Sequence, residues 1–144
     1  MHLSVNTHPA FWKDWKDVQK HHKTLEFQSI YTPDEFSAAN DDSKMESIIH
    51  LRSIKNIVIN ATNDGLIEEK ARKYDRQPFL QVGWTIRKMR LGIDDKGQSH
   101  GLRIIFCLND EYLLFVFVAT KNRCDDERKM EKVFLQRISE YVSV

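Results

Sequence analysis

Residues 84–126 read WTIRKMRLGIDDKGQSHGLRIIFCLNDEYLLFVFVATKNRCDD, and their reading decides the fold. Trp84–Leu91 alternates as a strand does: Trp84, Ile86, Lys88 and Arg90 point one way, Thr85, Arg87, Met89 and Leu91 the other. Gly92–Gly101 is a polar loop, and Leu102–Leu108 is a second strand. Asn109-Asp110 stands between two apolar runs and predicts a tight hairpin turn. Tyr112–Ala119 is apolar on both faces, which predicts a central third strand. Asp125-Asp126-Glu127 opens a last helix, with Met130, Val133, Phe134, Arg137, Ile138 and Tyr141 at helical spacing, Tyr141 being read as core.

The chain before this stretch is mainly helical. His2–Val5 is a candidate opening strand that adds to the sheet. Pro9 starts a helix on which Phe11, Trp12, Trp15, Val18 and His22 recur at three- and four-residue steps. Thr32-Pro33-Asp34-Glu35 is a helix-start signature, and Ala38–Lys44 is a polar loop. A helix from about Ser43 presents Ile48, Leu51, Ile54, Val58 and Ala61 on one face and ends at Asn63-Asp64-Gly65. Residues 66–80 begin helically and become extended before Pro78. The expectation is one α+β domain over residues 1–144, with 1–80 mainly helical and 81–144 forming the sheet and its closing helix. The sheet is expected to be antiparallel, of three to four strands, with the helices on one face.

Composition narrows the class. A chain of 144 residues, 41% hydrophobic and 30% charged, has the makeup of a soluble globular domain. No apolar run is long enough for a membrane span, and no secretory signal is visible, so the expected location is the cytoplasm, with no membrane partner. Cys107 and Cys124 have no second pair, which excludes a disulfide framework or a four-cysteine zinc site. Cys107, in an apolar strand, reads as a small hydrophobe.

The net charge of +1 hides an asymmetry. Between residues 85 and 123, Arg87, Lys88, Arg90, Lys96, Arg103, Lys121 and Arg123 face Asp94, Asp95, Asp110 and Glu111, and such a basic segment attracts phosphates. Catalytic motifs for dinucleotides, P-loops, zinc proteases and serine hydrolases are missing. His21 and His22 are adjacent on a helix and diverge by about a hundred degrees, so they cannot chelate one ion. RNA cleavage needs no metal or cofactor: the 2′-OH attacks the adjacent phosphate while cations stabilise the crowded transition state. A solvated charged face is the competing explanation.

The ordered set Arg87-Lys88-Met89-Arg90, Lys96-Gly97-Gln98-Ser99-His100-Gly101, Arg103-Ile104-Ile105-Phe106 and Lys121-Asn122 resembles the HigB-like branch of the RelE/ParE toxin superfamily. The likeness covers about forty residues, with a helix following in its expected place. It implies a toxin of a toxin–antitoxin system, a ribosome-dependent messenger-RNA endonuclease that needs neither metal nor cofactor. Its implied partners are the ribosome, messenger RNA and a cognate antitoxin of helix-turn-helix type. Carried over, Arg87, Lys88, Arg103 and Lys121 would be catalytic, and Arg90, Lys96, His100 and Arg123 would hold RNA. His100 replaces one of a usual glycine pair, Asn122-Arg123 stands in place of a lysine-arginine pair, and the family's tyrosine has no counterpart. Two other classes stay open: a superfamily member that poisons DNA gyrase without catalysis, and an RNA- or ribosome-binding module.

Overall fold

The computed structural model describes residues 3–21, 43–91, 101–120 and 127–143. Among them the elements run β1 (Ser4–Thr7), α1 (Ala10–His21), α2 (Ser43–Asn63), α3 (Ile67–Lys70), β2 (Ala71–Lys73), a 3₁₀ turn (Leu80–Val82), β3 (Thr85–Leu91), β4 (Leu102–Leu108), β5 (Tyr112–Thr120) and α4 (Glu127–Ser139). The strands form one sheet in the order β1-β5-β4-β3-β2. The β2–β3, β3–β4 and β4–β5 pairs are antiparallel, whereas β1 lies parallel to β5.

The class is therefore α+β, but the sheet has five strands and is mixed, against the expectation of a purely antiparallel sheet of three to four. The expected opening strand and one unexpected strand, β2, form the two short edges. β1 begins two residues later than expected and returns through α1, a connection that permits parallel pairing. β2 is three residues long, too short for alternation to reveal it. The loop after β4 follows the expected turn chemistry: Asn109 Oδ1 accepts from the Glu111 and Tyr112 amides at 2.8 and 2.7 Å. Gly65, at φ 72°, ends α2 in the left-handed conformation that its lack of a Cβ allows.

Helices cover both faces rather than one. Phe11, Trp15 and Val18 of α1 and Ile54, Val58 and Ala61 of α2 pack on Met89, Leu102, Ile104, Phe106, Leu113, Phe115 and Val118. Met130, Phe134 and Ile138 of α4, with Val142, pack on Ile86, Ile105, Cys107, Leu114 and Val116. Strands β4 and β5 are apolar on both sides, so each face needs its own cover. Tyr141, read as core from its spacing, is instead exposed beyond the end of α4, its ring edge-on to His8.

One ion pair seals the upper edge of β5, where β1 has ended. Ile105 pairs with Phe117 and Phe106 with Phe115, so Val116 is the extra residue of a β-bulge. The Arg137 guanidinium donates to the Val116 carbonyl at 2.9 Å and forks onto Asp14, whose other oxygen lies 3.0 Å from Nη2. Burial raises the Asp14 carboxyl above its ordinary value, outweighing the opposing pull of Arg137 and of the Val118 amide. The pair thus joins α4, α1 and the bulge at one point.

Candidate nucleic-acid interface

Eight described lysines and arginines lie at the β2–β3–β4 end of the sheet, and the strand register sorts those on the strands by face. Arg72 stands directly opposite Lys88, and Arg90 directly opposite Arg103. Residues directly opposed point to the same side, so Arg72, Lys88, Arg90 and Arg103 share the face that α4 covers further along. Lys73 opposes Arg87 on the other side. Each of the three pairings sets like charges about 4.5–5.5 Å apart at Cβ, an arrangement that destabilises a sheet unless something anionic offsets it.

Exposure separates these cations into two sets. Lys70, Arg72 and Arg90 are exposed and make no ion pair among the described residues. Lys88 and Arg103 are each 5% exposed. Arg103 Nη1 donates to the Leu102 carbonyl at 3.3 Å, and Lys88 Nζ lies 5.7 Å from the centre of the Tyr74 ring. Each of the two has a further interaction partner. A groove of about 390 Å³ runs along this corner, lined by Glu68, Glu69, Lys70, Ala71, Arg72, Lys88 and Arg90. Four of its seven lining residues are cations and two are acids, so its character is basic with an acidic rim.

Tyr74 is the residue that sequence reasoning missed. Its ring stacks under the Arg76 guanidinium at 4.1 Å and meets Phe134 edge-on at 5.5 Å, with Lys88 beyond. Arg76 in turn donates to Glu131 at 2.6 Å, and that hydrogen bond raises the guanidinium above its ordinary value. The signal available was the run Arg72-Lys73-Tyr74-Asp75-Arg76, a phenol among cations, but nothing in the sequence placed that run beside β3. Asp75 fixes the corner by accepting from the Ile86 amide at 3.2 Å and pairing with Lys73 at 3.3 Å.

The expected site is brought together only in part. Lys88, Arg90 and Arg103 share a face and an end of the sheet. Arg87 does not join them: as the strand neighbour of Lys88 it points to the opposite face, where it is 9% exposed. Lys96, His100, Lys121 and Arg123 lie outside the described residues. Among the described residues no group of three or more His, Cys, Asp or Glu side chains is placed to hold a metal ion, and no helix is long and apolar enough to cross a membrane. Burial pushes the Cys107 thiol up to about 12, so this cysteine is a core hydrophobe. Compared with known proteins, the chain matches no family model, no curated protein and no solved structure.

Proposed function

We propose that the chain is an RNA-cleaving toxin: a ribosome-dependent messenger-RNA endonuclease that is held inactive by a cognate antitoxin. The observation that carries this reading is the like-charge register, Arg72 against Lys88 and Arg90 against Arg103, on one face beside a basic groove. A sheet built only for stability gains nothing from opposed cations, whereas a polyanionic strand offsets each of them. Exposed Lys70, Arg72 and Arg90 would grip backbone phosphates, and Lys88 and Arg103 would meet the scissile one. Arginine suits that role because its fork binds two phosphate oxygens at once. Tyr74, whose ring centre lies 5.7 Å from Lys88 Nζ, is the tyrosine near these cations that would be tested for a part in proton transfer.

The burial of Lys88 and Arg103 favours a second reading. The exposed cations alone are sufficient for a non-catalytic RNA- or ribosome-binding module. Expressing the wild type and Arg103→Ala in cells, with messenger-RNA 5′ ends, ribosome association and growth followed together, separates the two. The toxin reading expects wild type to cut messenger RNA and Arg103→Ala to lower cleavage by about 10²-fold or more while staying on ribosomes. Intact messenger RNA with ribosome binding retained identifies the module. Growth arrest with intact messenger RNA and no ribosome binding identifies a gyrase-directed toxin.

A further inference from the structure

Arg87 carries an unfilled bidentate edge. It is nine-tenths buried, and its Nε is buried with no hydrogen-bond partner. Its Nη1 reaches the Ala71 carbonyl at 3.4 Å, beyond the usual span of such bonds. Nη2 stands 3.8 Å from Glu68 Oε1, and the Glu68 side chain is 83% exposed. Nε and Nη2 lie on one side of the guanidinium, the side that takes a carboxylate or phosphate through two parallel hydrogen bonds. A buried donor without a partner is costly, so this edge is set for an anion that the resident carboxylate fills only loosely. Arg87 does not itself line the basic groove, but the two residues its guanidinium reaches, Glu68 and Ala71, do, so Glu68 stands between the groove and this edge.

We propose that Arg87 holds an RNA backbone phosphate side-on at this corner, and that Glu68 is the built-in counter-ion which the phosphate displaces. The proposal rests on the RNA-contact part of the reading above and not on cleavage. Glu69 lines the same groove with the same charge and makes no ion pair with Arg87, so it separates a specific exchange from a general loss of negative charge.

The test uses the full chain and a 2′-O-methyl oligonucleotide, in which the attacking hydroxyl is blocked, with fluorescence anisotropy at fixed salt. Glu68→Gln is expected to tighten binding about fivefold, the worth of one partly exposed ion pair, and Glu69→Gln less than twofold. Glu68→Gln combined with Arg87→Lys, which keeps the charge and loses the fork, should return to wild-type affinity. Equal gains in the two glutamine variants, or a gain that survives Arg87→Lys, overturn the proposal. Isothermal titration with inorganic phosphate identifies the source: tighter phosphate binding by Glu68→Gln without any gain for the oligonucleotide means a free phosphate and overturns the RNA assignment. Absence of oligonucleotide binding in every form refutes the RNA contact itself, whatever the cell-based cleavage result.

Discussion

Replacing Arg137 with alanine tests whether the clasp on the β5 edge holds the two helical layers to the sheet. The side chains of Arg137 and Asp14 are 14% and 12% exposed, so solvent screens their pair little. Deleting one partner of such a pair leaves an uncompensated buried charge, at about 3–5 kcal/mol. The Val116 carbonyl also loses its donor, and the cation above Phe117 at 5.3 Å disappears. These losses share one guanidinium and do not add, so the expected cost is about 3–4 kcal/mol. Against a typical domain stability of about 5–15 kcal/mol, the variant should fold but melt early. Urea titration followed by tryptophan fluorescence measures it. Replacing both partners, Asp14→Asn with Arg137→Met, removes the stranded charge and should cost less than Arg137→Ala alone. A single-variant loss below about 1 kcal/mol, or a double variant as weak as the sum of its parts, would refute the clasp.

The same carboxylate sets a pH dependence. Asp14 is raised above 3.8 mainly by burial, so the folded state keeps this proton to higher pH than the unfolded one. Its contribution is fully present below that value and is lost as pH rises through the folded pKa, so the advantage of wild type over Asp14→Asn should shrink across that window in paired urea titrations. The opposite slope would show that Arg137 outweighs burial. His8 accepts the Ala10 amide on Nδ1 at 3.0 Å, capping α1, so His8→Ala should cost about 1 kcal/mol and His8→Asn much less in thermal melts. Cys107, with its thiol pushed up to about 12, should label with a thiol reagent at pH 8 only at the rate of global unfolding, and fast labelling of the native protein at this residue would contradict its burial.

Much of the fold was legible because the period-two and period-3.6 patterns sit on long elements. Leu102–Leu108 has the expected bounds, and β3 and β5 differ from theirs by one residue. The Asn109 turn and the Gly65 stop come from side-chain chemistry that acts within a few residues, which is why sequence shows them. An opening strand was legible near β1, but its parallel pairing with β5 depends on a distant partner, as does the pairing of β2 with β3, and three-residue β2 left no pattern. The arrangement of helices on two faces was implicit in the doubly apolar β4 and β5, but only the packing of Phe134 and Ile138 against Ile105 and Cys107 makes it explicit. For the site, alternation along β3 already separated Arg87 from Lys88, while the approach of Tyr74 and Arg72 required knowing that β2 exists.

Local rules are broken here in one region. Ile86, Ile105 and Cys107, which continue the same strands on the same face, are fully buried hydrophobes, and Lys88 and Arg103 stand next in that row at 5% exposure. Isoleucine or valine at either position would extend the core without the desolvation that a cation costs. Arg87 repeats the anomaly on the opposite face with a buried Nε that nothing satisfies. A purely structural set of buried cations would be expected to end fully bonded, because each open donor subtracts from stability. These departures gather at one corner rather than being scattered through the core, which is where an otherwise locally consistent sequence marks a constraint other than packing.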